Sequence, residues 1–294
     1  SLEIWFQDSP VEKKIVFSGD IGKKGNPIIN DPDPATHADY IVMESTYGNR
    51  LHKDMDETIN ELISVIKTTF KRGGNVIIPS FAVGRTQDLL YILNRLVREG
   101  RLYKINVYID SPLAEEATKT YLAHPECFDE EAKKILDNNA AKDAILLRFT
   151  NSVEESRALN KIKSGAIIIA GSGMCEGGRI GHHLKHNLWR PECSVVFVGF
   201  QAKGTLGRRI VDGTKVVRIF NEEIVVKAGI HTIGGFSAHA DRKELLEWLS
   251  AFRNSPEVFI VHGEEETSLN FSKAVKEAYG FITHVPFKGQ AFEI

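Results

Sequence analysis

Long apolar runs are missing from these 294 residues. No stretch approaches the roughly 20 residues that a membrane-spanning helix needs, and no basic start followed by an apolar middle marks a signal peptide. A membrane role is therefore not expected. Cysteine is scarce: Cys127, Cys175 and Cys193 are odd in number and far apart, which argues against a disulfide framework and against a cysteine-rich zinc cluster. A reducing, cytoplasmic compartment is the expectation. Charge of one sign is not in excess either. A formal net charge of −2 excludes a globally basic nucleic-acid coat and leaves room for a local basic groove. Internal repeats and low-complexity linkers are absent.

What remains is a globular composition, 42% hydrophobic and 26% charged, in which short β-branched runs alternate with helical periods. "KKIVFSGD", "DYIVMES", "NVIIPS", "INVYID", "AIIIAG", "SVVFVGF" and "EVFIVHG" read as buried strands. "DETINELISVIKTTFKRGG" puts Ile59, Leu62, Ile63, Ile66 and Phe70 on one helical face and stops at Gly73 and Gly74. The next helix carries Leu89, Leu90, Leu93, Leu96 and Val97. This alternation predicts an α/β protein whose sheets are largely parallel and covered on both faces. Residues 112–163 read as three successive helices, "SPLAEEATKTYLAHP", "DEEAKKILDNN" and "SVEESRALNKI", and residues 213–235 as antiparallel strands.

Open α/β sheets bind ligands outside the carboxyl ends of their strands, and that is where the reactive side chains fall. Asp20, Glu44, Ser80, Asp110 and His262 each follow an apolar run. A lone Asp there is usually a turn former, so the set carries the weight. "GSGMCEGGR", with Ser172, Gly173, Gly178 and Arg179, is a glycine-rich turn into a helix, and "QAKGT", with Lys203 and Thr205, follows a neighbouring strand. Backbone N–H groups, a helix start and an Arg suit a phosphate. The alternative is a turn needed only for packing. In "HHLKH", His182, His183 and His186 lack the Glu of an HExxH motif, so they read as exposed histidines beside an anion site. In "FSAHADRKELLEWL", Asp241 and Glu244 form a capping box with Leu245, Leu246 and Leu249 turned inward. That explains Asp241 and leaves His239 as a candidate proton donor.

Taken in order, "SGD" at 18–20, "ESTYG" at 44–48, "IPSFAVGRTQ" at 78–87, "DSPLA" at 110–114, "GSGMCEGGR" at 171–179, "FSAHAD" at 236–241 and "VHGEEE" at 261–266 resemble the β-CASP branch of the metallo-β-lactamase superfamily. Within it the resemblance is to RNA-processing nucleases similar to the endonuclease subunit of the cleavage and polyadenylation specificity factor and its prokaryotic relatives. The resemblance implies a metallo-β-lactamase αββα sandwich, partial in this chain, with an inserted α/β β-CASP domain. The implied boundaries are 1–47, 48–231 and 232–294, the first and last belonging to the sandwich. It implies a zinc-dependent ribonuclease acting on single-stranded RNA, with two zinc ions and a homodimer as further expectations. Asp20 would be the carboxylate bridging the zinc ions, and His262 a zinc ligand. Glu44 and His239 would be a pair beside the scissile phosphate, where His239, oriented by Glu44, protonates the leaving 3′ oxygen or holds a phosphate oxygen.

The family's HxHxDH motif and a further histidine belong upstream of "SGD", and these residues contain neither. The resemblance then implies a longer natural protein. The chain alone is expected to hold an incomplete zinc site or none, and to be inactive. Two rivals stand beside this reading. A DNA nuclease of the same superfamily is one, but the DNA-directed branch carries Val at the position of His262. A non-catalytic RNA-binding partner subunit is the other, and such partners tend to lose the acidic and histidine positions that Asp20, Glu44, His239 and His262 keep. A β-lactamase or thioesterase has no need of the long insert.

Overall fold

The computed structural model describes residues 1–8, 10–25, 28, 31, 35–128, 130, 132–133 and 145–294. Along the chain run β1 (Leu2–Asp8), β2 (Val11–Phe17), β3 (Tyr40–Met43), α1 (Met55–Lys71), β4 (Val76–Pro79), α2 (Arg85–Arg98), β5 (Asn106–Asp110) and α3 (Pro112–Ala123). Then follow β6 (Leu146–Phe149), α4 (Val153–Leu159), β7 (Ala166–Ala170), α5 (Ile180–Asn187), β8 (Ser194–Phe197), α6 (Leu206–Val211), β9 (Val216–Ile219) and β10 (Glu222–Val225). The chain closes with β11 (Gly229–Thr232), α7 (Arg242–Ser250), β12 (Glu257–Ile260), α8 (Glu265–Tyr279) and β13 (Thr283–His284).

Two units divide the chain. The first comprises Ser1–Asn26, Asp31–His52 and Ala238–Ile294, and the second Pro27–Asn30 with Lys53–Ser237. The first unit holds a five-stranded sheet of order β1-β2-β3-β12-β13. The hairpin β1-β2 is antiparallel, whereas β2, β3, β12 and β13 run parallel. Its core joins Val16, Ile41, Met43, Val258 and Ile260 of the strands to Leu245, Trp248 and Leu249 of α7 and Phe271 and Val275 of α8. Asp241 starts α7 through the expected capping box: its carboxylate accepts from Glu244 N–H at 3.0 Å, and Glu244 accepts from Asp241 N–H at 2.9 Å.

The second unit is built on a six-stranded, all-parallel sheet of order β11-β8-β4-β7-β5-β6. Its central strands β4, β7 and β8 are wholly buried and nearly all apolar because both faces are covered, whereas the edge strand β6 is largely exposed. In β4, Val76 and Ile78 enter one core with Ile59, Leu62 and Ile66 of α1 and Leu89 and Leu93 of α2. Ile77 enters the other, with Ile168, Val195, Ile180 and Leu184. The α/β reading with largely parallel sheets therefore holds.

Two local expectations are corrected. The segment read as three helices contains the strand β6, paired in parallel with β5, because "LLRF" is a short apolar run inside a stretch rich in Ala, Glu and Lys. The helix expected in "DEEAKKILDNN" lies largely outside the described residues. Within 213–235, β9 and β10 form the antiparallel hairpin, but β11 joins β8 in parallel. Among the described residues no helix is long and apolar enough to cross a membrane.

Candidate active site

Three parallel strands of the first unit end level with one another. Phe17 of β2 lies beside Val42 of β3, and Met43 of β3 beside Ile260 of β12. The residues just past those ends are Asp20, Glu44 and His262, so strand register alone brings two carboxylates and an imidazole to one sheet edge. His239 arrives from the other side of the sequence. Ala240 N–H donates to the Ile21 carbonyl at 2.8 Å, and Gly22 and His239 form an isolated bridge.

Glu44 is the fixed point, only 2% exposed. Its Oε1 accepts from Ile21 N–H at 2.6 Å, and its own N–H donates to Ser18 Oγ at 3.2 Å. Its Oε2 accepts from His239 Nδ1–H at 2.9 Å. A carboxylate can only accept, so this bond commits Nδ1 and leaves Nε2 as the ring nitrogen that would meet a metal or substrate. The carbonyl of His239 is gripped in turn by His52 Nε2–H at 3.0 Å, while His52 N–H donates to Asp241 Oδ2 at 2.9 Å. Burial pushes the His52 imidazole below the usual histidine range, against the smaller opposing pull of its bond to His239. A neutral His52 suits a ring wedged edge-on against Tyr47, with centroids 4.7 Å apart.

His262 sits in the left-handed backbone region with φ 49°, a conformation that costs a non-glycine residue about 1 to 3 kcal/mol. The following Gly263 is required by space: a Cβ there would stand 2.4 Å from Ser45 Oγ and 2.7 Å from Ser268 Oγ. Thr46 Oγ1 lies 3.2 Å from both the His262 carbonyl and Nδ1. With the hydroxyl donating to the carbonyl, Nδ1–H donates to Thr46 and Nε2 keeps its lone pair for a cation.

Asp20 and His262 approach to 3.8 Å, and one ligand atom each of Asp20, His239 and His262 lie within 4.8 Å of one another. Asp20 and His262 are open to solvent. Imidazole nitrogen and carboxylate oxygen are donors that zinc takes, so the chemistry of Asp20 and His262 fits zinc, with the His239 imidazole close enough to act beside the ion or on it. Sequence reasoning placed Asp20, Glu44, His239 and His262. It missed Thr46, although "ESTYG" contains it, and His52, which no periodic or motif signal marks.

The other sequence-predicted residues belong to the second unit. The turn from β7 to α5 is closed on itself: Ser172 N–H donates to Gly177 O at 3.0 Å and Ile180 N–H to Gly171 O at 2.9 Å. Gly178 has φ 72°, and a Cβ there would fall 2.4 Å from the Gly171 carbonyl, while a Cβ on Gly173 would meet the Phe81 ring at 2.8 Å. Packing thus accounts for both glycines. The second loop lies alongside, since Gly207 N–H donates to Met174 O at 3.2 Å and Gln201 Nε2–H to Gly173 O at 2.9 Å. Thr205 caps α6, its hydroxyl accepting from Arg208 N–H at 3.2 Å, and Lys203 is exposed. Ser172 Oγ is buried with no hydrogen-bond partner among the described residues.

Arg179 is turned inward. Its Nη1 donates to Asp110 Oδ1 at 2.7 Å and to Thr150 O at 3.0 Å. Asp110 is fully buried and also accepts from His183 Nε2–H at 2.6 Å, Ser156 Oγ–H at 2.7 Å and the Thr150 hydroxyl. Burial is the largest influence on this carboxyl and pushes it up. The bonds from His183, Ser156, Thr150 and Arg179 together outweigh that and hold it well below the usual carboxylate range. The expectation of three exposed histidines in "HHLKH" is corrected: His182 and His186 are exposed, but His183 is a core residue, wholly buried against Asp110. Among the described residues, none of the three joins a metal-capable cluster.

The first unit therefore presents a metal-capable edge of a parallel sheet with a carboxylate-held histidine beside it, the arrangement of a metallo-hydrolase. Residues 86–210 match the Beta-Casp domain, and residues 223–286 match the Zn-dependent metallo-hydrolase RNA specificity domain. Together these cover more than half of the chain, which belongs to the β-CASP family of the metallo-β-lactamase fold. Among its relatives, a ribonuclease of Thermus thermophilus is 40% identical over 263 residues, 89% of this chain and 60% of that protein. An RNase J-like protein of Methanocaldococcus jannaschii is 32% identical over 285 residues, 96% and 66% of the two chains. Transcription termination factor FttA of Thermococcus kodakarensis is 36% identical over 256 residues, 84% and 39%. The chain thus spans less than two thirds of the length of each of these relatives.

Proposed function

We propose that this chain is the β-CASP and adjoining metallo-β-lactamase part of a zinc-dependent ribonuclease that hydrolyses phosphodiester bonds of single-stranded RNA. The observation that carries the reading is the meeting of Asp20, His239 and His262 within 4.8 Å at one sheet edge, with Glu44 holding His239. The match of residues 223–286 to an RNA specificity domain supports RNA over DNA.

Asp20, through its carboxylate, and His262, through Nε2, would hold the metal. When bound, zinc supplies Lewis-acid stabilisation of charge at the phosphoryl oxygens. The chain's own residues supply the rest. Glu44 fixes the His239 tautomer and stabilises its imidazolium, so that Nε2–H can pass a proton to the leaving 3′ oxygen. The products would be a 3′-hydroxyl and a 5′-phosphate. The strained backbone of His262 and its bonds to Thr46 hold the ring in one orientation before any ligand arrives. A second reading is favoured by the same distances: His239 as a third metal ligand through Nε2, its tautomer again fixed by Glu44. In the second unit, Ser172, Gly173, Gly178, Arg179, Lys203 and Thr205 are proposed as contacts to phosphates of the strand. Arg179 Nε and Nη2 make no hydrogen bond among the described residues, so that part of the guanidinium serves a ligand while Nη1 serves Asp110.

The test is to incubate the protein that carries this chain, zinc-loaded, with end-labelled RNA and DNA of one sequence. Cleavage of RNA to 5′-phosphate fragments with DNA left intact is expected. Equal cleavage of DNA, or none of either, would reject the reading.

A further inference from the structure

The first unit carries a groove of about 700 Å³ apart from the Asp20, Glu44, His239 and His262 cluster. Arg50 and Leu51 line it from the segment after β3, Arg242, Lys243 and Leu246 from α7, and Tyr279 from the end of α8. The Tyr279 hydroxyl donates to the Leu246 carbonyl at 2.8 Å, which joins the two helices beneath it. Arg242 N–H donates to the Arg50 carbonyl at 3.0 Å, so the two cationic segments are tied together by backbone.

The charge of this groove is unbalanced. Among the described residues its one acid, Glu247, is paired with Lys24 at 2.6 Å. Arg242 and Lys243 are exposed, and their side chains make no hydrogen bond or ion pair among the described residues. Among the described residues the Arg50 side chain hydrogen-bonds only to its neighbour Asn49, at 3.4 Å, and it lies over the Tyr47 ring at 5.3 Å. Stability of the fold does not explain these cations. Arg242 and Lys243 open α7, where the helix dipole disfavours positive charge. The groove also adjoins the site, because Tyr47 under Arg50 packs against His239 with ring centroids 6.3 Å apart.

We propose that this groove is a subsite for the phosphodiester backbone of an RNA strand leading to or from the scissile position. Arg50, Arg242 and Lys243 each meet a phosphate, and Leu51 and Tyr279 meet a ribose or base. Three uncompensated cations on two chain segments, in one groove with the apolar Leu51, Leu246 and Tyr279, suit a polymer that alternates charge with flat apolar faces. An acidic peptide carries the charge without those faces. The proposal rests on the ribonuclease reading and extends it to residues outside the reaction centre.

The test is fluorescence anisotropy of a labelled oligouridylate with this chain, in chelator so that no cleavage intervenes. The wild type is compared with the double variant Arg242→Gln/Lys243→Gln, which leaves the capping box of α7 intact. The double variant should bind roughly tenfold more weakly, and its plot of log affinity against log salt should be shallower by about 0.7 for each phosphate no longer neutralised. Unfolding curves should superimpose. Unchanged affinity and slope in the double variant, with the wild type binding, would remove the groove while the RNA reading stands. A wild-type chain that binds no RNA would remove both. Polyglutamate competing as well as RNA, with the same loss in the variant, would assign the groove to an acidic protein segment and overturn the proposal.

Discussion

Glu44 and His239, 195 positions apart in sequence, meet through a 2.9 Å bond from Nδ1 to a carboxylate that is almost wholly buried. The pair works because Glu44 cannot donate: only one tautomer of the imidazole satisfies it. Glu44→Gln would still accept from Ile21 N–H, but its amide NH₂ would face Nδ1–H and force the other tautomer. The expected outcome is a fall in cleavage rate on the order of 10²- to 10⁴-fold, with an unchanged unfolding curve. A rate within a factor of a few of wild type would detach Glu44 from the chemistry.

Asp110 is expected to matter for stability. Asp110→Asn leaves Arg179 and His183 without the buried charge that both address, and breaking such a network costs about 3 to 5 kcal/mol. Urea unfolding of this chain checks it. The sign of the pH effect follows from the depressed carboxyl: the stabilisation is complete above the unfolded value of about 3.9 and is lost as pH falls toward the folded one. The wild type should therefore lose more stability than Asp110→Asn below about pH 4.

His231 should make stability rise between mildly acid and neutral pH. Burial pushes this imidazole down, and the neighbouring Arg72 pushes it further, against a weaker pull from Glu61. A folded value below the unfolded value of about 6.5 means that the contribution is full above that pH and lost as pH falls through the folded value. The gain in melting temperature from pH 5 to 7 should be smaller in His231→Gln than in wild type, and an equal gain would contradict the assignment.

The three cysteines should separate by reactivity. Cys127 is exposed, whereas burial raises the Cys193 thiol and pushes that of Cys175 up to about 12. A thiol reagent at pH 8 should modify one cysteine quickly in the native chain and the other two only after unfolding.

The candidate site was legible where the signal was local. Asp20, Glu44 and His262 each end an apolar strand, so the rule for open α/β sheets finds them. His239 stood out because the capping box accounted for Asp241 and not for it. The Asp110 network was illegible because its partners lie 40 to 73 positions away in sequence, and nothing local distinguishes His183 from the exposed His182 one residue earlier. β6 was hidden by the composition around it. Arg50, Arg242 and Lys243 vanish in a near-neutral total, since a local excess of charge is a property of packing, not of composition.

The most direct test of the account measures zinc content and cleavage together in His262→Ala and His239→Ala of the protein that carries this chain, using normal RNA and RNA whose scissile 3′ oxygen is replaced by sulfur. His262→Ala should lose zinc and cleavage of both substrates. His239→Ala should keep its zinc, lose cleavage of normal RNA by about 10²- to 10⁴-fold, and regain much of that rate on the sulfur substrate, whose leaving group needs little protonation. Loss of zinc in His239→Ala, with no recovery on the sulfur substrate, would make His239 a ligand and contradict its role as the proton donor.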